Sequence, residues 1–513
     1  MPDNFRNKNF KNILIFCLSL VPVLIHLYTN IFAGYGFFRD EFYYIACSNH
    51  LNTGYVDHPP FSILILYLNR LLFGDSIFSI RFLPALASGL TVFITCLMVM
   101  KFKGKTFAII LASICVILSP VYLGSSSYFS MNSFDILLWA LAFYLIILII
   151  NESRLSYWIL LGLVFGIGLM NKIGFLWLGF GFFAGLLFTE KRYELRTLKP
   201  YLTALIALTI FSPYVIWNYQ NNFAHLEFIQ NASSGKYSNL DYLDFVKGQL
   251  MNMNPFSAII WLSGIYYFFF NSNGKKYKIL GIIYLTSFLI LLLNNHSKAG
   301  YLAPAYTILL AGGAVLIEKK TLVRFRWVRF VLITLILTTG ILISPLALPI
   351  LPVNNYINYA AALGVKPETA ENKELSELPQ FFADMHGWEE MAANVSKVYM
   401  SLPREERLRT IVFGQNYGEA SAMEFYKNKY PIPRVISSHN SYWTWGYPEI
   451  ENPVFIIIGG IKEDHMEVFE NVEEAAVHTA EYSMPYENNI SIFIAKNLKV
   501  KLQDVWNNIK HYD

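Results

Sequence analysis

The chain has 513 residues, of which 55% are hydrophobic and 15% charged, with a mean hydropathy of +0.39. So apolar a composition over this length excludes a water-soluble globular protein and makes the chain a polytopic membrane protein. The formal net charge of +4 is small and sorted by loop, which excludes a nucleic-acid-binding stripe. The four cysteines, Cys17, Cys47, Cys96 and Cys115, indicate neither a disulfide framework nor a thiolate metal site.

In chain order, Arg6, Lys8 and Lys11 precede an apolar run over 13–33. The run is longer than the apolar region of a secretory signal and further runs follow, so it reads as an uncleaved first helix with a cytoplasmic N-terminus. Beyond it Gly36-Phe37-Phe38-Arg39-Asp40-Glu41 sets three adjacent ionisable groups in a chain dominated by apolar helices, and Asp57-His58-Pro59-Pro60 follows. Arg39 pairing with Asp40 or Glu41 at a helix end accounts for the first cluster. It leaves the second unexplained, where two prolines hold the preceding residues extended. Residues 61–74 are apolar but short, broken by Asn69 and Arg70, and fit a helix lying in the membrane interface.

Apolar runs then recur near 81–100, 106–124, 134–150, 157–170, 173–189, 200–217, 255–270, 279–293, 301–317 and 330–347, about eleven spans in all. Basic residues concentrate in alternate loops: Lys101, Lys103 and Lys105; Arg154; Lys191, Arg192, Arg196 and Lys199; Lys275, Lys276 and Lys278; Lys319, Lys320, Arg324, Arg326 and Arg329. These loops are inside by the positive-inside rule, and an odd number of spans puts the chain beyond about 349 outside. That last part is more charged and alternates strand-like runs, 409–413, 434–437, 454–458 and 490–494, with helical patterns at 417–426 and 462–471. A transmembrane domain over 1–348 followed by an extracytoplasmic α/β domain over 349–513 is the expected division. Gly459-Gly460 reads as a turn, lacking the lysine and further glycines of a phosphate loop.

On this topology the unusual polar residues share the outer face: Asp40, Glu41, Asp57 and His58; Asp135 at the start of the fourth span; Lys172; and His296, Lys298 and Tyr301. Ionisable groups at membrane depth mark pathways, sites or partners. Asp135 reads either as a helix-capping carboxylate or as such a site, and Lys172 and Lys298 read either as snorkelling anchors or as cations of that site. Sugar transfer from a lipid phosphate uses both charges: a carboxylate takes the acceptor proton, and cations stand beside the departing phosphate. A divalent cation is compatible with carboxylate and imidazole ligands, and no spacing requires one.

Asp40-Glu41, Asp57-His58-Pro59-Pro60, Asp135 and the stretch His296-Ser297-Lys298-Ala299-Gly300-Tyr301 together resemble the GT-C membrane glycosyltransferases. The branch is that of the protein O-mannosyltransferases and the bacterial lipid A aminoarabinose transferases. The resemblance implies an all-α membrane domain and inverting transfer from a polyprenyl-phosphate-linked sugar to a glycan, lipid or protein acceptor at the outer face of the bacterial cytoplasmic membrane. It implies Asp40 as the catalytic base, Glu41 beside it, and Asp135 as the second acidic position. His58 and Lys298 then take positions of basic residues at the lipid phosphate, with Asp57, Lys172, His296 and Tyr301 in the same binding region. A histidine where the relatives have lysine is a departure, since imidazole is fully charged only below about pH 6.5. A transporter or flippase would share the many spans, but no internal repeat is visible; an inactive lipid-binding scaffold would have less reason to keep Asp40 and Asp135.

Overall fold

The computed structural model describes residues 2–236, 241–294, 297–322, 324–367 and 373–513. By internal contacts the chain forms two units. One comprises 1–34, 73–216 and 239–352, the other 35–72, 217–238 and 353–513.

The first unit is helical. Among the described residues, seven helices are long and apolar enough to cross a bilayer: Asn9–Phe32, Ile77–Lys101, Met131–Glu152, Lys199–Gln220, Lys275–Leu293, Ala299–Lys320 and Arg326–Ala347. A bent pair, Ile173–Leu187 with Glu190–Arg196, makes up to eight. The other three expected runs are shorter helices, Thr106–Ile117, Leu155–Asn171 and Pro255–Phe269, so each of the eleven apolar runs is helical. In lipid this is required, because only a helix satisfies its own backbone groups within one segment.

Helices Met131–Glu152 and Ala299–Lys320 are largely buried, whereas Asn9–Phe32 and Arg326–Ala347 leave most of their apolar surface open. Phe16, Leu24, Phe330 and Ile341 are all exposed. A protein surrounded by water does not present such continuous apolar surface; lipid is the solvent it fits, and the chain is a multi-pass membrane protein.

The bundle is closed by small residues and by polar groups at its ends. A Cβ on Gly313 would come within 1.8 Å of the Ile260 carbonyl oxygen, and one on Gly264 within 2.1 Å of the Leu309 carbonyl. Helices Ala258–Phe269 and Tyr306–Lys320 therefore touch backbone to backbone, the packing that small residues permit where no hydrophobic force separates helix from lipid. The buried Glu318 carboxylate accepts from the Lys105 and Ala108 backbone N–H groups at 2.6 and 2.9 Å. It thereby caps helix Thr106–Ile117 from a neighbouring helix, satisfying donors that a helix start leaves open.

The second unit contains a five-stranded sheet: β1 (Thr410–Gly414), β2 (Arg434–Ser437), β3 (Val454–Ile458), β4 (Phe469–His478) and β5 (Ile490–Leu498), in the order β2-β1-β3-β5-β4. The pairs β1–β2 and β1–β3 are parallel, and β3–β5 and β4–β5 antiparallel. Four strands fall where the sequence places them. The helical pattern expected over 462–471 ends early: the helix is Lys462–Val468, and the chain continues as β4. This edge strand exposes Glu470, Glu473 and Glu474, charges that discourage edge-to-edge pairing but leave no apolar alternation to read.

Helix Arg39–Asn49 packs on helix Tyr417–Tyr426 of the same unit. Helix Phe61–Phe73 directs Leu64, Leu68 and Leu71 outward and Ile63 and Leu66 inward, and the Arg70 guanidinium donates to Asn49 Oδ1 at 2.7 Å. An apolar outer face on a 13-residue helix suits the interface expected for it.

The Gly313→Leu variant is expected to be destabilised by about 1–3 kcal/mol through overpacking, read as a lower midpoint in a thermal melt of the detergent-purified protein. An unchanged midpoint would contradict the backbone contact between these helices.

Candidate functional site

Each unit holds its own cluster of expected residues. In the second unit helix Arg39–Asn49 begins with a capping box, in which Glu41 Oε2 accepts the Phe38 backbone N–H at 2.8 Å. Glu41 is fully buried and fixes the helix start. Asp40, one residue earlier, points the other way: its side chain is 34% exposed, and its Oδ1 accepts the Tyr417 hydroxyl at 2.9 Å and lies 3.5 Å from Arg39 Nε. In the first turn of a helix its negative charge is favoured by the dipole.

Arg39 is buried. Its Nη1 donates to the Tyr486 hydroxyl at 2.7 Å and lies 3.6 Å from Asp384 Oδ2; its guanidinium sits 5.4 Å over the Tyr417 ring. The Arg39 backbone N–H donates to the Asp384 carbonyl, and Tyr486 donates to Asp384 Oδ1 at 3.3 Å. Gly418 makes the approach possible, since a Cβ there would be 2.6 Å from Arg39 Cγ.

Asp57 Oδ1 accepts the Tyr43 hydroxyl at 2.8 Å, and that hydroxyl accepts from the Ser441 backbone N–H at 3.2 Å. His58 is 1% exposed. Its ring stacks on Tyr44, with Tyr55 and Tyr43 around it. Nδ1 lies 3.0 Å from the Pro59 carbonyl, a contact that places the hydrogen on Nδ1 and leaves Nε2 an acceptor. Nε2 is buried, 4.0 Å from Asp57 Oδ1. The sequence expects a phosphate contact here; the geometry is that of an enclosed imidazole beside a carboxylate.

In the first unit Asp135, Asn132, Lys172, Lys298 and Tyr301 line one cavity of about 150 Å³. Helix Met131–Glu152 is capped by Ser130, whose Oγ accepts the Asn132 N–H at 3.2 Å. Asp135 stands a full turn inside that helix and does not cap it. Its side chain is 4% exposed, and Oδ1 is buried with no hydrogen-bond partner among the described residues. Lys172 Nζ donates to Asn132 Oδ1 at 2.8 Å and lies 4.7 Å over the Tyr301 ring. Lys298 precedes the 3₁₀ turn Ala299–Ala305. His296, expected beside it, lies outside the described residues.

Tyr417, Tyr486 and Asp384 were not visible as site residues in the sequence. A tyrosine opening a helix in the α/β part carries no sign that it will meet Asp40, 377 positions earlier. Beside them Asn416 Nδ2 donates to Glu419 Oε1 at 3.0 Å and to Glu487 Oε1 at 2.9 Å. Both carboxyls are buried, and burial pushes both upward: Glu419 well above its ordinary value, with the neighbouring Glu487 charge adding to the rise, and Glu487 to about 7 against the pull of Asn416 and Arg39. Among the described residues the one three-ligand cluster with metal-like spacing is His439, His511 and Asp513, whose ligand atoms lie within 4.8 Å of one another. His439 Nδ1 faces the Tyr417 N–H at 3.4 Å. Nε2 then carries the hydrogen and donates to Asp513 Oδ1 at 2.8 Å, an arrangement complete as hydrogen bonds.

Residues 57–217 match a family model described as dolichyl-phosphate-mannose-protein mannosyltransferase. ArnT from Cupriavidus metallidurans bound to undecaprenyl phosphate is similar in structure, with a TM-score of 0.60 at 11% identity over 94% of this chain and 97% of that one. The archaeal oligosaccharyltransferase AglB from Archaeoglobus fulgidus, in complex with an inhibitory peptide and a dolichol-phosphate, gives 0.51 at 12% identity over 81% of this chain and 64% of that one. No curated protein matches by sequence. The likeness to the two structures is one of fold, and the fold class, a helical membrane part with a small α/β part, is the one the sequence resemblance implied.

The buried Glu419–Glu487 pair has a measurable consequence. A carboxyl whose folded pKa lies above its unfolded one near 4.5 contributes its full stability below that value and loses it as pH rises through the folded value, about 7 for Glu487. The melting midpoint of the purified protein is expected to fall between pH 5 and about 8, and to fall less in Glu487→Gln; equal slopes in both proteins would refute the assignment.

Proposed function

We propose that this chain, with the fold of the GT-C membrane glycosyltransferases, moves a sugar from a polyprenyl-phosphate-linked donor to a hydroxyl-bearing acceptor at the outer face of the cytoplasmic membrane, with inversion at the anomeric carbon. The observation that carries the reading is Asp40: a half-exposed carboxylate at a helix start, one oxygen fixed by the Tyr417 hydroxyl, in a segment otherwise tightly packed.

In this reaction the acceptor oxygen attacks the anomeric carbon on the face opposite the phosphate, its proton passes to Asp40, and the bond from that carbon to the phosphate oxygen breaks. The lipid phosphate leaves with the bonding electrons. With Oδ1 held by Tyr417, the proton-accepting atom is Oδ2. The Tyr417 hydroxyl and the place of Asp40 in the first helical turn orient the carboxylate, as a general base requires. Lys172 and Lys298 are the cations for the phosphate, with Tyr301 holding the Lys172 ammonium over its ring. Asp135, in the same cavity, is assigned to the donor sugar, where a buried carboxylate accepts hydroxyl hydrogens. Asp57 and the enclosed His58 are assigned to shaping the loop that follows helix Arg39–Asn49, and Glu41 to holding the helix that presents Asp40. Sugar, acceptor class and lipid length are left to experiment, as is any divalent cation.

The test is transfer by purified protein from a polyprenyl-phosphate sugar, after the co-purifying lipid has been extracted and identified by mass spectrometry. Asp40→Asn, nearly the same shape without the base, is expected to lower turnover by on the order of 10²–10⁴ while leaving the thermal midpoint unchanged; wild-type turnover would end the proposal. Tyr417→Phe is expected to lower kcat by roughly tenfold with KM little altered. Lys172→Met is expected instead to raise the KM for the donor, and a pure kcat effect would remove the lysine from the phosphate.

A further inference from the structure

The α/β part of the second unit contains a cavity of about 310 Å³ that the proposed reaction does not use. Its walls are apolar: Phe413 on β1, Ile436 on β2, Phe455 and Ile457 on β3, and Leu502 and Trp506 on the helix Leu502–Asn508. The strand residues share one face of the sheet, since Phe413 is paired with both Ile436 and Ile457. One end of the cavity is different. Gln415, Ser438 and Gly460 follow the C-terminal ends of β1, β2 and β3, and His465 and His511 complete that polar end.

This place follows from the connectivity. From β1 the chain moves to β2 on one side, then crosses to β3 on the other. The order of the parallel strands therefore reverses between β1 and β3, and in open α/β sheets ligands bind at such a reversal, outside the carboxyl ends of the strands. The volume lies at the small end of ligand pockets. At roughly 30 Å³ per non-hydrogen atom of liquid, it holds about ten such atoms.

The lining also selects the ligand. A sugar carries a hydroxyl on nearly every carbon, and apolar walls would leave most of them without partners. Among the described residues no lysine or arginine lines the cavity to meet an anionic head, and Asp464 is the one acid. We propose that the cavity at the β1–β3 reversal is a binding site for a small neutral amphiphile, an alkyl or alkenyl chain of about ten non-hydrogen atoms ending in a hydroxyl, the chain lying between the sheet and helix Leu502–Asn508 and the hydroxyl among Gln415, Ser438 and His511. The site stands independently of the transfer reaction.

The experiment uses the full chain in lipid nanodiscs, labelled with a diazirine-bearing alkyl alcohol and mapped by peptide mass spectrometry. Saturable labelling of the segments around β1, β3 and 498–511 is expected, reduced on the order of tenfold by saturating 1-decanol and not by a monosaccharide or decanoate. Val505→Phe, which fills the cavity from the helix side, is expected to abolish that labelling. Should that variant fail to fold, the competition series on the unaltered chain decides alone. Labelling confined to the membrane helices, or rising linearly without saturation, makes the cavity a packing void and overturns the proposal; competition by decanoate or the monosaccharide equal to that by decanol overturns the neutral head.

Discussion

A buried guanidinium cannot be left without partners, and the candidate catalytic segment is built around meeting that demand. Arg39 is met by Asp384, by the Tyr486 hydroxyl and by the face of Tyr417, groups drawn from three separate stretches of the α/β part. Removing one member of such a set would leave a charge buried and unpaired, which costs several kcal/mol, about 3–5 in measured cases. Helix Arg39–Asn49 is therefore fixed at its first residue, and Asp40, the next one, inherits a defined position.

The opposite end of that helix is fixed too. Glu424 accepts the Tyr442 hydroxyl at 2.7 Å and lies 3.8 Å from His50, while Tyr43 in the middle spans from Ser441 to Asp57. A carboxylate presented this way is held by its supports, as preorganised chemistry requires. The mostly satisfied, aromatic surroundings also explain why Asp40 stands out: its neighbours Arg39, Glu41 and Tyr43 are all buried.

The first unit solves a different problem with the same economy. Its helices lie in a medium that gives no hydrophobic drive to associate, so close approach at Gly264 and Gly313 and capping by Glu318 hold them together. Against that background Asp135 is an exception, a buried carboxylate a turn inside a span with the helix already capped by Ser130. It shares its cavity with Lys172 and Lys298, cations of the kind that accompany ionisable groups at membrane depth.

Sequence alone determined the parts governed by local composition. The eleven apolar runs are helices because lipid leaves the backbone no alternative; four of five strands are legible as apolar β-branched runs; and Asp40, Asp135, Lys172 and Lys298 stand out because charge in such a chain is rare. β4 escaped because an edge strand protected by glutamates has no apolar period. Tertiary structure decided what depends on distant stretches meeting. It decided that Tyr417 holds Asp40, that Asp384 and Tyr486 hold Arg39, and that Glu41 turns back to its own helix. It decided that His58 is enclosed by tyrosines, and that a cavity opens where the strand order reverses. None of these has a local signature, because a hydrogen bond across 377 positions is set by how the sheet and helices pack and leaves no period or motif in the chain.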